Sequence, residues 1–204
     1  MITTLQCAQL CGQLYEQHTS WDHYWEGGQV VCALRKLPDH DVLIFQGSVS
    51  ALDFLRDAEG WPTFDPEIGF CHHGFLVQMD EALAEAIPNL TQPAVVTGHS
   101  LGAARARIAA AKLSYRGMKV AQLCVFGSPR PGFANARRVI EKSGMAHESW
   151  RNMNDPVPLV PAILPWWEHT ESWGTFQEHA PADNLDATRD HDIHLYIAGA
   201  QKLK

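Results

Sequence analysis

A serine at a tight turn is the residue of this chain best suited to chemistry. Residues 95–104 run from an apolar stretch through Gly98-His99-Ser100-Leu101-Gly102 into an alanine-rich segment. That order predicts a strand, a sharp turn and a helix, because a turn this tight leaves no room for side chains beside the serine. The turn presents the Ser100 hydroxyl near a helix start, which favours developing negative charge. Such a serine can attack a carbonyl carbon, although an ordinary glycine-rich turn fits the same pentapeptide.

An attacking serine needs a base, and the base needs a carboxylate that orients it. In a strand–turn–helix setting the expected chain order is serine, acid, histidine. Asp155 follows Ser100 in the segment 154–158 (NDPVP), directly after a predicted strand. The histidines beyond this acid are His169, His179, His191 and His194. Spacing alone does not choose among them.

The elements that must position these residues alternate along the chain. Apolar residues at helical spacing predict helices, and short apolar runs predict strands. The predicted helices cover 5–17, 74–87, 101–116 and 133–143, and the predicted strands 30–34, 41–45, 94–97, 120–126 and 147–152. Residues 60–69 contain Pro62 and Pro66 and are expected to be irregular. This alternation predicts an α/β fold with a mostly parallel sheet and helices on both faces, with working groups at the carboxyl ends of the strands.

Composition narrows the function classes. The chain has 204 residues, which suits one domain, and a net charge of −7 with no basic run, which argues against nucleic acid as a partner. No apolar run approaches the length of a membrane-spanning helix, and the N-terminus lacks the features of a secretory signal. Five scattered cysteines predict reduced core thiols. We therefore expect a cytoplasmic protein.

Six segments, in the right order, resemble the class 3 lipase family, the α/β-hydrolases of the fungal triacylglycerol lipase type. They are 42–48 (VLIFQGS), 73–75 (HGF), 97–104 (TGHSLGAA), 125–130 (VFGSPR), 152–161 (NMNDPVPLVP) and 190–193 (DHDI). The resemblance implies an α/β-hydrolase fold, with residues 1–204 forming a single domain.

The resemblance also implies roles for individual residues. Ser100 is the expected nucleophile, Asp155 the acid and His191 the general base, with His194 as the alternative base. The expected oxyanion hole consists of the backbone N–H of Leu101 and of Ser48, which stands where the family usually has threonine.

Two further features of the chain, a pair of closely spaced histidines and two arginines within a predicted helix, lead to additional predictions. His191 and His194, three residues apart, could instead ligate a metal; since that would leave the triad without its base, we expect no metal and no cofactor. Arg105 and Arg107 interrupt a helix whose family counterpart is small and apolar. If Arg105 is buried, we expect a carboxylate partner, because an unpaired buried charge is very costly.

The expected function is a serine carboxylic-ester hydrolase that cleaves lipid esters through an acyl-enzyme. Residues 49–65 mix apolar and acidic side chains. They fit a lid that opens on a lipid surface, but a plain surface helix and loop fit equally well. Two alternatives remain: a catalytically silent binding or regulatory protein, and an acyltransferase with the same triad. The sequence gives no oligomeric state.

Overall fold

The computed structural model describes residues 1–16, 20–48, 61–132, 134–160, 174–178 and 187–203. Within these ranges the chain forms a seven-stranded central sheet in the order β1-β2-β3-β6-β7-β8-β9. The strands of this sheet are β1 His23–Gly27, β2 Val30–Lys36, β3 Asp41–Phe45, β6 Ala94–His99, β7 Val120–Phe126, β8 Ala146–Asn152 and β9 Gly174–Phe176.

The sheet is mostly parallel. Strands β3, β6, β7, β8 and β9 pair in parallel, whereas β2 runs antiparallel to both β1 and β3. Every residue of β3 and β6 is buried, which is the pattern of strands covered on both faces. The predicted α/β class is therefore confirmed.

Helices cover both faces of the sheet. They are α1 Thr4–Glu16, α2 His73–Leu76, α3 Met79–Ala86, α4 Leu101–Tyr115, α5 Ala134–Ser143 and α6 Ile193–Gln201. One apolar cluster joins α1 and α6 to the sheet and contains Cys7, Cys11 and Cys124, while the opposite cluster joins α3, α4 and α5 and contains Cys32 and Cys71. All five cysteines are free thiols. No helix in the described part of the chain is long and apolar enough to cross a membrane.

Helix α4 is the centre of one face. Its residues 102–113 are all buried, and half of them are alanine, so the helix lies close to the sheet. A Cβ added to Gly102 would lie 2.1 Å from the carbonyl oxygen of Phe45. The first turn of α4 therefore packs directly on the carboxyl end of β3.

The prediction that residues 60–69 are irregular is wrong. They contribute to an antiparallel ribbon of β4 Pro62–Asp65 and β5 Gly69–His72. Pro62 stands at the first position of β4, where a missing N–H is tolerated. The Asp65 carboxylate accepts hydrogen bonds from the backbone N–H groups of Glu67 (2.9 Å) and Ile68 (3.1 Å), which stabilises the turn.

The helix predicted over 74–87 is interrupted. Gln78 has a φ of 60° and separates α2 from α3, while its side-chain oxygen accepts a hydrogen bond of 2.7 Å from the backbone N–H of Gln29. This long-range contact accompanies a conformation that apolar spacing does not predict. Strands β1 and β9 were also not predicted. Of the predicted lid 49–65, residues 49–60 lie outside the described residues.

Candidate active site

Ser100 occupies the sharp turn between β6 and α4. Its backbone has φ 60° and ψ −131°, a region that non-glycine residues rarely adopt and that stores strain. A Cβ on Gly98 would lie 2.3 Å from the carbonyl oxygen of Gly102, so the turn closes only because both flanking positions are glycine. The Ser100 N–H donates to the carbonyl of Phe126 at 3.0 Å. The predicted strand–turn–helix arrangement is confirmed.

The chain brings Asp155 and His191 together. Asp155 follows β8 and is fully buried, and its Oδ2 lies 2.6 Å from Nδ1 of His191. Its other oxygen, Oδ1, accepts a hydrogen bond of 2.8 Å from the backbone N–H of Val157. The Tyr196 hydroxyl also donates to Oδ2, while the backbone N–H of Asn152 donates to the Tyr196 oxygen at 3.1 Å. The carboxylate is thus fixed on both oxygens and aimed at one imidazole.

His194 does not take part in this arrangement. It lies exposed in the first turn of α6, where its backbone N–H donates to the Asp192 carboxylate at 2.9 Å. Asp192 therefore caps α6, and the cap directs residue 194 to the surface. Within the described residues, no group of His, Cys, Asp and Glu side chains could hold a metal ion.

Gly127 allows the acid and the histidine to meet. Its φ is +55°, and a Cβ at this position would lie 2.8 Å from Cε1 of His191 and 2.9 Å from Oδ2 of Asp155. The backbone of residue 127 therefore lies against the pair, where any side chain would separate the two groups or shift them. Sequence reasoning missed this role, although Gly127 lies in one of the six motif segments.

His99 lies beside the histidine of the pair. The two rings stack with centroids 4.5 Å apart, and Nδ1 of His99 lies 3.1 Å from the hydroxyl of Tyr15. Burial lowers the pKa of His99 well below its usual 6.5, and the neighbouring His191 lowers this pKa further. His99 is therefore neutral at physiological pH and adds no positive charge next to His191.

The two atoms that a proton transfer would use make no hydrogen bond to the described residues. In the described part of the chain, neither Oγ of Ser100 nor Nε2 of His191 has a hydrogen-bond partner, and both are buried. Buried polar atoms without partners are uncommon and call for an explanation, such as a catalytic role. Hydrogen bonds of catalytic groups are often formed only once substrate is bound.

A cavity of about 470 Å³ lies next to the nucleophile. The described residues that line it are Gln29, Val31, Gln46, Gly47, Ser48, His72, Gly74, Phe75, Leu101 and Arg105. A Cβ on Gly47 would lie 2.9 Å from the Cβ of Ser100, so the segment that carries Ser48 packs against the serine. Both residues predicted for the oxyanion hole therefore border one cavity beside Ser100.

The carboxylate partner expected for Arg105 is absent among the described residues. Arg105 is 1% exposed, and its Nη1 donates to the carbonyl oxygen of Gln29 at 2.5 Å. Its Nε and Nη2 have no partner in the described ranges, and burial lowers the pKa of Arg105 to about 10. Two residues on, Nη2 of Arg107 donates to the hydroxyl of Ser149 at 2.6 Å.

Comparison with known proteins gives consistent results. The family model for lipase (class 3) matches residues 3–164. A secreted mono- and diacylglycerol lipase A of Penicillium cyclopium is 34% identical over 158 residues, which cover 71% of this chain and 51% of the relative. A chloroplastic phospholipase A(1) of Arabidopsis thaliana is 26% identical over 185 residues, 73% of this chain and 41% of the relative. The chain thus spans about half the length, or less, of these curated relatives.

A solved structure supports the fold. The triacylglyceride lipase of Rhizomucor miehei superimposes with a TM-score of 0.69 at 21% identity, covering 85% of this chain and 76% of that one. The described architecture is therefore the α/β-hydrolase fold that the sequence motifs imply.

Proposed function

This chain belongs to the class 3 lipase family, and from that membership we infer that it is a serine carboxylic-ester hydrolase acting on lipid esters. The observation that carries the proposal is the buried Asp155–His191 pair, joined at 2.6 Å, whose imidazole stacks on His99, the residue that precedes the strained Ser100. Among the described residues the Ser100 hydroxyl has no hydrogen-bond partner. An oriented base beside a displayed nucleophile is the arrangement that acyl transfer requires.

In the proposed reaction, Oγ of Ser100 attacks the ester carbonyl while Nε2 of His191 accepts its proton. The tetrahedral intermediate then collapses, and the alcohol leaves with the proton that His191 returns. Water attacks the acyl-Ser100 ester with His191 again as base, and the carboxylic acid departs. The serine is then free for another cycle.

Asp155 acts through His191 in this scheme. Its hydrogen bond to Nδ1 fixes the tautomer that leaves Nε2 free to accept a proton, and its negative charge stabilises the imidazolium that forms. The hydrogen bonds from Tyr196 and Val157 to the carboxylate keep Asp155 in place. These two partners position the acid without contacting the substrate.

The oxyanion hole is proposed at Leu101 and Ser48, which border the cavity beside Ser100. The Leu101 N–H is at the first turn of α4, where the helix dipole adds to its attraction for an oxyanion. A donor of this kind contributes about 3 kcal/mol to transition-state stabilisation.

Contact with a lipid surface is proposed through the β4–β5 ribbon. Trp61, Phe64 and Phe70 are exposed there, and large exposed aromatic side chains favour an interface between water and lipid. Strand β4 of the ribbon, Pro62–Asp65, is the C-terminal part of the lid that we propose at 49–65, within a single domain of residues 1–204. Activity that rises when a soluble ester passes its aggregation concentration, and rises less in Trp61→Ser, supports this proposal; equal activity below and above that concentration contradicts it.

The test of the chemistry is Ser100→Ala, which we expect to abolish hydrolysis of p-nitrophenyl esters and labelling by a fluorophosphonate probe. The matched pair His191→Ala and His194→Ala identifies the base, because only the variant that removes the base loses turnover by several orders of magnitude. Full turnover in Ser100→Ala excludes the triad. A folded wild-type protein that the probe fails to label indicates a silent binding protein, and transfer of the acyl group to added alcohol indicates an acyltransferase.

The compartment stays a prediction. One of the compared relatives is named as secreted and the other as chloroplastic, so neither name supports the cytoplasmic expectation. Fractionation of cells that express the native gene decides this point.

A further inference from the structure

Arg105 is the buried charge that the proposed reaction does not use. Its Nη1 is held by the carbonyl of Gln29, whose own N–H is bonded to the side chain of Gln78 at 2.7 Å. This chain of contacts anchors one side of the guanidinium to the turn between β1 and β2. The remaining nitrogens, Nε and Nη2, have no partner among the described residues.

These two nitrogens form one edge of the guanidinium plane. On that edge the Nε–H and one Nη2–H point the same way, so they can bind both oxygens of a carboxylate or phosphate at once. A guanidinium is always charged near neutral pH, and a buried charge is stable only when it is paired. The described part of the chain supplies no carboxylate for this edge, which therefore has the geometry to bind an anion from outside the chain.

The position of Arg105 relates that anion to the substrate. Arg105 lines the same cavity as Ser48 and Leu101. It follows Leu101 by four residues on α4, so it lies on the same helix face, about 6 Å further along the axis. An anionic group near Arg105 is therefore within the span of one small molecule whose ester carbonyl reaches the oxyanion site.

We propose that Arg105 binds an anionic phosphate or carboxylate group of the substrate or product in the cavity beside Ser100. This inference rests on the proposed ester hydrolysis. Two sources share the chemistry: the headgroup phosphate of a glycerophospholipid, which shares a glycerol with the ester, and the carboxylate of the released fatty acid. The relative named as a phospholipase A(1) makes the headgroup the first source to test.

The headgroup is tested with two soluble esters, dihexanoyl phosphatidic acid and dihexanoylglycerol, which differ only in the phosphate. Arg105→Gln is expected to lower kcat/KM for the phosphatidic acid about tenfold more than for the neutral ester, because it removes charge-assisted hydrogen bonds to the phosphate. Arg105→Lys keeps the charge without the two-nitrogen edge and should recover part of this selectivity.

The matched control is Arg107→Gln. Arg107 is equally buried on the same helix but does not belong to the described lining of the cavity. Its loss should leave the ratio of the two kcat/KM values unchanged, whatever it does to stability. A ratio that changes equally in Arg105→Gln and Arg107→Gln reflects general damage and overturns the proposal.

Product carboxylate is tested by inhibition of dihexanoylglycerol hydrolysis with hexanoate. Inhibition that weakens in Arg105→Gln, with an unchanged ester ratio, assigns the site to the released acid. If neither the ester ratio nor hexanoate inhibition depends on Arg105, the inference is wrong while the ester hydrolase stands. If wild type cleaves neither ester and the fluorophosphonate probe does not label it, the proposed function itself fails.

Discussion

The two ends of helix α4 hold buried cations in opposite ways. Near the C-terminal end, Nζ of Lys112 lies 2.5 Å from Asp65, 2.9 Å from Glu67 and 3.3 Å from Asp80. Near the N-terminal end, Arg105 has one backbone carbonyl and no carboxylate among the described residues. Both side chains are about equally buried, so the difference lies in what surrounds them.

The same contrast extends to the neighbours of each end. At the C-terminal end, Arg116 adds a second cation to the same acidic group, bonded to Glu67 at 2.8 Å and to Asp80. At the N-terminal end, Ser100 has a strained backbone and a hydroxyl without a partner in the described residues. Backbone strain and an incompletely paired buried cation are therefore found where a ligand is expected to arrive, whereas the cations at the opposite end are paired with carboxylates of the chain.

The largest expected effect comes from breaking the paired end. Lys112→Met keeps the apolar stem but leaves the buried Asp65 carboxylate without its cation, and the free energy of unfolding should fall by about 3–5 kcal/mol. Urea denaturation measures this loss. The control is Arg137→Met, which breaks an exposed ion pair with Glu141 and should cost at most about 0.5 kcal/mol. Similar losses in both variants would show that the buried cluster is not a source of stability.

The next effect concerns the close approach at Gly127. Gly127→Ala places a methyl group against both His191 and Asp155, and a shift of the pair should lower kcat by about a hundredfold. Hydrolysis of a p-nitrophenyl ester measures it. Gly117→Ala is the matched control, because Gly117 also has a positive φ (+79°) but no atom within 4 Å of its added Cβ. Gly117→Ala should lose about 1 kcal/mol of stability and keep its turnover. An inactive Gly117→Ala would show that the loss in Gly127→Ala does not depend on contact with His191 and Asp155.

A smaller difference is expected between two variants that test the backbone strain at Ser100. Ser100→Gly and Ser100→Ala both lack the hydroxyl, but only glycine adopts φ 60° and ψ −131° readily. Ser100→Gly should therefore be more stable than Ser100→Ala by about 1 kcal/mol, measured by urea denaturation. Equal stabilities would mean that the turn carries no strain of its own.

A last effect is a pH dependence of the stability that arises from His99. Since its pKa is lowered in the folded protein, the unfolded chain binds a proton near pH 6.5 that the folded protein does not. Stability is therefore complete above about pH 6.5 and is lost, by about 1.4 kcal/mol per pH unit, as the pH falls below it towards the folded-state pKa. His99→Gln should remove this part of the loss, whereas His194→Gln, at an exposed site, should not. Identical pH profiles for wild type and His99→Gln would contradict the assignment.

The sequence predicts local features of the site better than distant ones. The turn at Ser100 is predicted from the glycines on either side of it, Gly98 and Gly102, between an apolar strand and an alanine-rich helix. All of these residues lie within one short segment. The position of Asp155 after a strand is likewise local. The choice between His191 and His194 is not, because it depends on a 3₁₀ turn at 187–191 and on the cap of α6 by Asp192. Long-range contacts hold this turn in place, since His191 is bonded to Asp155, 36 residues away, and the Asn152 side chain donates to the carbonyl oxygen of Asp190, 38 residues away.

The failed predictions have the same origin. The left-handed conformation at Gln78 accompanies a contact with Gln29, 49 residues away, and no apolar periodicity records it. The β4–β5 ribbon was not predicted because Pro62 indicates an irregular segment, although a strand tolerates proline at its first position. The carboxylate expected for Arg105 is not found among the described residues, because the sequence does not show which side chains the fold brings near this position of the helix.

The free thiols in the two apolar clusters have one more consequence. Burial raises the pKa of Cys32 and Cys71 to about 12, and it raises the pKa of Cys11 and Cys124 as well. A thiol reacts as its thiolate, so these sulfur atoms are chemically silent while the protein stays closed.

The rate at which the thiols of each cluster are alkylated therefore measures how often that cluster opens transiently. Alkylation at Cys11 or Cys124 times the separation of α1 from the sheet, and alkylation at Cys32 or Cys71 times the opening of the face that holds α4. Similar alkylation rates in the two clusters indicate that the molecule opens as one cooperative unit, and different rates indicate that the two faces of the sheet open separately.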